Sequence, residues 1–306
     1  MKKFGFVTVF SVLGIAVFAG GGGEMFEESA SFSGIDRLSV EGAFFEVEIT
    51  GSSTATIEAE FIIPDRLRRR GVKVLHETRG GELRVWVERK VVSITSPPWS
   101  GPRMNFSVPA GTLVNVKNSS GSVEVKGIEA VELNLEVSSG SLQIADCRSK
   151  LSATSSSGKI TLETCTGDKK LKASSGSITV LNSDGNIEAD SSSGKHRYEG
   201  IQGSIVAQSS SGGIAVRDCE GRLDLEGSSG RLSGTGATIT GDSSFETSSG
   251  SIDFNFTNNV DDFTFELRST SGTISAGGTR AKGNVITGNG KILIRGKSSS
   301  GNQSYK

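Results

Sequence analysis

The sequence predicts an all-β fold, and more specifically a single-stranded β-solenoid that resembles a parallel β-helix. The first observation is a phrase, Ser-Ser-Gly-Ser-(Ile/Val), that recurs between Asn118 and Gly301. Its glycines, called phrase glycines below, are spaced by 19 residues, then five times by 18, then by 20 and 22: Gly121, Gly140, Gly158, Gly176, Gly194, Gly212, Gly230, Gly250 and Gly272. A fixed period of this length is typical of solenoids, in which each repeat stacks on the one before.

Composition is the second observation. The 306 residues include 41 glycines but only 5 prolines, and short Val, Ile, Leu and Thr runs lie between Gly and Ser clusters. Such runs favour strands that are joined by tight turns. The hydrophobic content of 34% suits a narrow solenoid, because each coil buries only a thin interior.

Alternation inside each repeat is the third observation. Apolar residues stand two positions after most phrase glycines: Val123, Leu142, Ile160, Ile178, Ile214, Leu232, Ile252 and Ile274. Others stand five positions before the next phrase glycine: Leu135, Ala153, Leu171, Ala189, Ala207, Leu225, Phe245 and Leu267. A period of two predicts strands with one side facing inward. Each coil of about 18 residues is therefore expected to hold two short strands and two corners.

The repeated phrase also carries expectations about its corners. We expect the phrase glycine to be required by a positive φ, and the phrase serines to bond to neighbouring backbone groups. Asn289-Gly290 is predicted to continue the series 18 residues after Gly272. Ser299-Ser300-Gly301 is predicted to end the chain out of step with it.

The first residues, 1–19, are predicted to be a secretory signal peptide. Lys2 and Lys3 precede an apolar run from Phe4 to Phe18, and Ala19 is a small residue at a suitable cleavage point. The run is too short for a comfortable membrane span. We therefore expect an exported protein with no integral membrane span after cleavage, located in the periplasm, at the cell surface or outside the cell.

Residues 20–34 are predicted to be a polar linker, and residues 35–110 an irregular N-terminal β cap that covers the first open coil. Two hairpins are expected in this cap. The first joins Phe44–Ile49 to Thr56–Ile62, and the second joins Val72–His76 to Leu83–Val87. The repeat solenoid is predicted to occupy residues 111–306.

The segment Val108-Pro109-Ala110-Gly111-Thr112-Leu113, followed by Ser-Ser-Gly-Ser-Val-Glu-Val, resembles the bacterial putative-adhesin family of β-strand-repeat proteins. That family, a domain of unknown function, has a Val-Pro-x-Gly strand that leads into serial Ser-Gly-x-Ile units. The resemblance covers nearly all of the chain after the signal peptide. It implies an exported or envelope β-solenoid, and it supplies no catalytic residues.

Three residues interrupt the apolar pattern and are weak candidates for a ligand site: His196, Arg197 and Tyr198. His196 stands two positions after Gly194, where the other coils carry an aliphatic residue. A polar pair for a ligand is one interpretation; a single wide or frayed coil is the other, and we favour it. A serine hydrolase needs a serine, a base and an acid together, and no Gly-x-Ser-x-Gly elbow occurs. We predict no catalytic residue, cofactor or metal site.

Two of the three cysteines are spaced so that they could form a disulfide. Cys147 and Cys165 stand seven residues after successive phrase glycines, so their Cα atoms are predicted about 5 Å apart, within disulfide range. A disulfide and a buried column of small residues are about equally compatible with this spacing. Cys219 is three coils further along the chain, too far to form a disulfide with Cys147 or Cys165.

The arginine cluster Arg66, Arg68, Arg69 and Arg70 could bind an anionic glycan or phosphate, but a solvated connection between strands is favoured.

Three functional hypotheses follow. The formal net charge is −1, and −3 without Lys2 and Lys3, so nothing indicates nucleic acid as a partner. The first hypothesis is a non-enzymatic, exported envelope solenoid that offers an adhesin-like or scaffold surface to an unknown protein or glycan ligand. The second is a carbohydrate-binding or carbohydrate-active β-helix centred on His196. The third is an envelope-stress sensor or regulatory partner.

Overall fold

The computed structural model of the chain describes residues 16–20, 23–89 and 101–306. These residues form 29 strands, one short α-helix and one 3-10 helix, so the prediction of an all-β fold is confirmed. Positions 1–15 of the predicted signal peptide lie outside the described residues. The chain divides into two compact units, residues 1–150 and 151–306, and each is described by itself.

The first unit contains twelve complete strands and the α-helix. In chain order they are β1 Ala16–Gly20, β2 Gly23–Ser33, β3 Arg37–Ala43, β4 Glu46–Ser52, β5 Thr56–Pro64, α1 Asp65–Arg69, β6 Lys73–Arg79, β7 Glu82–Glu88, β8 Arg103–Pro109, β9 Leu113–Asn118, β10 Val123–Lys126, β11 Glu129–Val137 and β12 Leu142–Ala145.

Parallel stacking begins well before residue 111, where the repeats were predicted to start. β4 pairs in parallel with β10, and Val47 lies opposite Val123. β3 pairs in parallel with β9 in the same manner, and Leu38 lies opposite Val114. Both strands alternate buried and outward residues, which is the pattern that a stacked coil needs. The irregular segment therefore supplies the first coil-like strands.

The first predicted hairpin is wrong, whereas the second is confirmed. β4 and β5 do not pair with each other; β8 lies between them, parallel to β4 and antiparallel to β5. The chain can place β8 there because its burial alternates along its length, so its inner face fits the same core. β6 and β7 do form an antiparallel hairpin, closed by Arg79 opposite Glu82.

The segment predicted as a polar linker contains an 11-residue strand, β2. β2 runs antiparallel to β5, from Met25 opposite Pro64 to Ser33 opposite Thr56. Ala30 and Phe32 are 6% and 2% exposed, so the strand buries alternate side chains. The glycine, glutamate and serine content concealed this alternation in the sequence.

The remaining elements begin with a strand that crosses residue 150 and continue through the second unit. They are β13 Arg148–Ser155, β14 Ile160–Glu163, β15 Lys169–Ala173, β16 Ile178–Asp184, β17 Ile187–Ser191, β18 His196–Gln202, β19 Ile205–Ser209, β20 Ile214–Arg217, β21 Glu220–Gly221, β22 Leu223–Gly227, β23 Leu232–Ile239, β24 Ser243–Thr247, β25 Ile252–Phe256, a 3-10 helix Val260–Asp262, β26 Phe263–Ala276, β27 Thr279–Gly288, β28 Ile292–Ser298 and β29 Gln303–Tyr305.

Two parallel ladders organise the second unit. One ladder follows the phrase glycines and includes β14, β16, β18, β20 and β23; the other precedes them and includes β15, β17, β19, β22 and β24. Partners are 18 residues apart in both ladders up to β22 and β23, as Ile160 opposite Ile178 and Leu171 opposite Ala189. They are 20 apart between β22 and β24. Inward residues are buried at each step, so the two ladders share an apolar interior.

The phrase glycines are required by close stacking, and the prediction of a positive φ at these positions is wrong. Positive φ values occur elsewhere, six and nine residues after a phrase glycine, as at Asn182 and Gly185. A Cβ added to Gly176 would lie 1.8 Å from the carbonyl oxygen of Gly158. Since real Cβ atoms do not approach an oxygen so closely, only glycine lets one corner stack directly on the next.

A buried hydroxyl three residues before the phrase glycine closes most corners. Ser155 Oγ accepts a hydrogen bond from Gly158 N at 2.8 Å, and Ser209 Oγ accepts one from Gly212 N at 3.0 Å. Thr247 does the same for Gly250. These short-range bonds satisfy backbone groups that the sharp turn removes from the ladders.

The last coils do not stack in chain order, which corrects the predicted series. β28 pairs with β24 on one side and with β26 on the other, so β28 lies between two earlier strands. A Cβ on Gly301 would meet the Gly250 carbonyl, and a Cβ on Gly272 would meet that of Gly301. Gly301 is therefore in register with the stack, and Asn289-Gly290 is not part of it.

Aromatic packing explains this insertion. Tyr305 is 3% exposed, and its ring lies 6.0 Å from that of Phe245 and 5.9 Å from that of Phe265. Gly296 leaves room for it, since a Cβ there would lie 2.2 Å from Tyr305 Oη. The C-terminal strand thus completes an aromatic core that β24 and β26 begin.

Replacing Gly176 by alanine tests the stacking requirement. We expect Gly176→Ala to lower the free energy of unfolding by at least about 3 kcal/mol, because backbone rather than a movable side chain opposes the new methyl group. Urea unfolding of the purified chain measures the effect. Ser175→Ala, at the exposed neighbouring position, is the matched control and should change the unfolding free energy by less than about 0.5 kcal/mol. Equal midpoints for both variants would show that the corner has room to relax.

Candidate functional site

The structure separates the three candidate ligand-site residues. His196 and Tyr198 point inward and are 1% and 0% exposed, respectively. Arg197, between them, points to solvent, and its guanidinium pairs with Glu199. Strand alternation causes this division. The polar group that the structure does assemble is internal, and it includes Ser191, which was not a sequence candidate.

Ser191, His196 and Tyr198 form a continuous chain of hydrogen bonds, called the Ser–His–Tyr network below. Tyr198 Oη lies 3.1 Å from His196 Nδ1, and His196 Nε2 lies 2.8 Å from Ser191 Oγ. Ser191 Oγ in turn donates to the carbonyl of Gly194 at 3.1 Å. A neutral imidazole with its proton on Nε2 satisfies this arrangement, since it accepts from the tyrosine and donates to the serine.

Burial keeps both titratable members of the network neutral at ordinary pH. It lowers the pKa of His196 to about 4 and raises the pKa of Tyr198 far above its usual value. Desolvation is the main cause in each case, because a charge in this interior would lose its hydration. A serine and a histidine at bonding distance could in principle form a nucleophile and its base, but this pair faces the core.

The same arrangement occurs a second time with glutamine in place of histidine. Gln303 Nε2 donates to Ser298 Oγ at 2.9 Å, and Tyr305 Oη donates to Gln303 Oε1 at 3.1 Å. The offsets in sequence are also the same: Ser298, Gln303 and Tyr305 are placed relative to Gly301 as Ser191, His196 and Tyr198 are placed relative to Gly194. Sequence reasoning missed this copy because it assigned Gly301 to no coil.

A buried lysine was also missed. Lys169 is 3% exposed, and its Nζ donates to the carbonyls of Gly167 and Asp184, both at 2.7 Å. Desolvation lowers the pKa of Lys169. The two neighbouring strands of the ladder carry Leu151 and Ile187 opposite Lys169, so the interruption of an apolar column was the available signal.

The exposed side of each corner presents hydroxyl groups, called the serine corner below. In the second unit it consists of the two serines before Gly301 and before every phrase glycine except Gly272: Ser156, Ser157, Ser174, Ser175, Ser192, Ser193, Ser210, Ser211, Ser228, Ser229, Ser248, Ser249, Ser299 and Ser300. Their side chains make no hydrogen bond within the described part of the chain, which differs from the predicted bonding to backbone. Only their backbone amides pair, as Ser175 N does with Ser156 O at 2.8 Å.

A polar groove of about 460 Å³ runs beside the serine corner. Its lining includes Ser174, Ser192 and Ser210 together with Lys172 and Asp190. It contains hydroxyl, amide and single charged groups but no aromatic ring. Such a surface can donate and accept hydrogen bonds over several coils.

The cysteines are buried in both units. Cys147 and Cys165 are 4% and 2% exposed; Cys147 belongs to the first unit and Cys165 to the second, and their pairing stays a prediction. Ser183 occupies the same column as Cys165, and the backbone amide of Cys165 donates a hydrogen bond to Ser183 Oγ at 3.1 Å. Burial raises the pKa of the Cys219 thiol. Within the described ranges, no three His, Cys, Asp or Glu side chains are placed to hold a metal ion.

The arginine cluster lies on α1, in the connection between β5 and β6. Asp65 accepts from Arg68 at 2.8 Å and also pairs with Arg69. These hydrogen bonds lower the pKa of Asp65. Two of the four arginines are thus engaged locally, which supports the surface-connection interpretation. No helix among the described residues is long and apolar enough to cross a membrane.

Exchanging His196 for glutamine tests the network. Because the folded pKa of about 4 is below the unfolded value near 6.5, the unfolded chain binds the proton first as pH falls. The stabilising effect of the neutral imidazole is complete above about pH 6.5 and is lost toward about pH 4. We expect wild type to lose roughly 2–3 kcal/mol more unfolding free energy than His196→Gln between about pH 7.5 and about pH 4.5.

Urea unfolding at both pH values measures this difference. Gln303→His is the converse variant, because it places a histidine in the second network; it should acquire a similar sensitivity to acid. The same pH dependence in wild type and His196→Gln would show that His196 does not titrate in this way.

Solved structures provide the first comparison. A putative adhesin from Parabacteroides distasonis is 14% identical, with 76% of this chain and 97% of that chain covered and a TM-score of 0.50. A putative lipid-binding protein from the same species is 20% identical, with 75% and 96% covered and a TM-score of 0.49. A putative adhesin from Bacteroides fragilis is 12% identical, with 92% and 97% covered and a TM-score of 0.44.

At these identities the likeness concerns the fold alone. No curated protein is significantly similar in sequence to this chain. The sequence profile named Toastrack DUF4097 matches residues 35–304. This range covers both units from β3 onward, so the chain belongs to the Toastrack DUF4097 family.

Proposed function

We propose that this chain is a non-enzymatic, exported β-solenoid of the cell envelope whose outward side is an adhesin-like or scaffold interaction surface. The supporting observation is how the described side chains are sorted. His196, Tyr198, Lys169 and the cysteines are buried, whereas the outward positions repeat hydroxyl and charged groups from coil to coil. An extended partner surface can use such repetition, and a point-like reaction site cannot.

The finer features of the proposal come from the sequence. They are a cleaved signal peptide at 1–19, a β cap before residue 111 and coils of about 18 residues. The solved structure from Parabacteroides distasonis that shares the fold is also named as an adhesin. The partner class is a protein or glycan at a cell or matrix surface.

Glycan binding is the second candidate, and the groove beside the serine corner favours it. Its hydroxyl and amide groups match the hydrogen-bonding chemistry of a sugar chain, although it offers no ring for stacking. The site differs from the one suggested by the sequence, since His196 and Tyr198 are inside. Glycan-array binding that is lost in Ser174→Val/Ser192→Val/Ser210→Val, and kept in His196→Gln, would favour this candidate over a protein partner.

Protease shaving of intact cells tests the proposed location. We expect the protein to be lost on shaving, or to be protected until the outer envelope is opened, because a signal peptide directs it out of the cytoplasm. Immunoblotting of the shaved cells, the osmotic-shock fraction and the cytosol measures the distribution, with a cytosolic enzyme as the control. Recovery only with the cytosol would contradict export.

The cysteine pair provides a second test of export. An oxidising compartment favours disulfides, so we expect peptide mapping without reduction to recover Cys147 linked to Cys165, and Cys219 as a thiol. Cys165→Ser is the control and should leave Cys147 alkylated after denaturation. Alkylation of all three cysteines in the wild-type chain, purified from its native host, would show that the pair is not bonded.

A further inference from the structure

One edge of the second unit is an unpaired strand. β27 spans ten residues and pairs with β26 from Thr279 opposite Ala276 to Gly288 opposite Thr264. Among the described residues, no strand pairs with its other side. Such an edge presents free backbone N–H and C=O groups, with which a further strand can form a ladder.

The charge of this edge is uniform. β27 contains Arg280 and Lys282 and no acidic residue. They lie opposite Ser275 and Thr273, on either side of the buried Ile274, so both cations are on the outward side of the sheet. Neither forms an ion pair within the described part of the chain. Like charges oppose the pairing of β27 with a second β27.

One edge of the first unit is also open. β2 pairs with β5 along its length, but β1 covers only residues 23–27 of the opposite side. Residues 16–19 of β1 belong to the predicted signal peptide, so its cleavage would open this edge further. The remaining residues, Glu28 to Ser33, have no strand partner on that side in the described ranges. Ala30 and Phe32 are buried, whereas Ser29 and Ser31 point outward. The open segment has the alternation of a regular sheet edge.

The outward surface beside this open edge is acidic. Glu60 and Glu58 lie opposite Ser29 and Ser31 on β5. Together with Glu48 they line a groove of about 310 Å³. None of the three glutamates has an ion-pair partner among the described residues; Glu58 accepts from Ser31, and Glu60 accepts from Asn105.

We propose that copies of this chain associate head to tail, by pairing β27 of one copy with the Glu28–Ser33 edge of β2 in another. If the two apolar sides remain on one side of the joined sheet, Arg280 and Lys282 lie on the other side, next to the small side chains of Ser29 and Ser31. Glu58 and Glu60 are one strand further on, on β5, and the long side chains of Arg280 and Lys282 can extend over the serines toward them. The contact joins two different surfaces, so each added copy leaves one of each kind free, and growth continues until the copies close into a ring. This inference does not depend on the proposed function.

Sedimentation velocity of the full chain over a range of concentrations tests the association. We expect wild type to form dimers and larger species, and we expect their fraction to fall as salt screens the facing charges. Arg280→Glu/Lys282→Glu and Glu58→Lys/Glu60→Lys should each weaken association more than about tenfold, because each brings like charges together. Lys126→Glu/Lys159→Glu makes the same change of net charge as the β27 variant, at exposed positions away from both edges, and should associate as wild type does.

A mixture of the two edge variants identifies the partner edge. Each variant alone has like charges at the contact, whereas the reversed β27 of one matches the reversed β2 surface of the other. The wild-type β27 of the second variant likewise matches the wild-type β2 surface of the first. The mixture should therefore form species in which the two variants alternate, and these should grow as the wild-type species do. Thermal unfolding of each variant confirms that it is folded. A monomeric wild type, association unaffected by either edge variant, or a mixture that stays monomeric would each overturn the proposal.

Discussion

The structure depends on the direct stacking of backbone on backbone at the phrase glycines. In the second unit, the carbonyl oxygen of one phrase glycine occupies the space that a Cβ on the next would need. A Cβ built on Gly176 or on Gly212 would lie only 1.8 Å from the carbonyl oxygen of the preceding phrase glycine. This closeness holds successive corners at the spacing that parallel strands require. A larger residue would push the ladders on both sides of the corner out of register, so the glycine must recur at every coil.

The corners also explain which polar groups belong inside. A sharp turn withdraws the backbone groups of the phrase glycine from the ladders, and a hydroxyl three residues earlier replaces the lost partner. Ser191 and Ser298 have this position, and each additionally bonds to a polar side chain, His196 or Gln303. A tyrosine completes both networks, and no described buried side-chain polar atom lacks a partner. A fully satisfied network is compatible with a narrow apolar core, whereas a partly satisfied one is not.

The same geometry separates the buried titratable side chains from the outward surface that can bind a partner. Strand alternation directs titratable groups either to a sealed interior, where desolvation disfavours their charged forms, or to a solvated surface. Arg197 and His196 are adjacent in sequence, yet they lie on opposite sides of the sheet. Repetition then gives the outer surface its regular columns of hydroxyl and charged groups. Interactions of this protein are consequently expected along coils and at strand edges.

The sequence by itself determined the all-β class, the repeat, the inward columns and the positions of the corner glycines, because period-two alternation and a fixed spacing follow directly from strand and stacking geometry. It could also place His196 in an inward column. The tertiary structure alone decided which distant segments meet. β8 lies between β4 and β5, and β28 lies between β24 and β26. These positions are set by complementary burial of side chains, such as Tyr305 of β29 against Gly296 of β28. Local pattern carries no information on such long-range pairings, and for that reason the second network and the two open edges appear only in the folded chain.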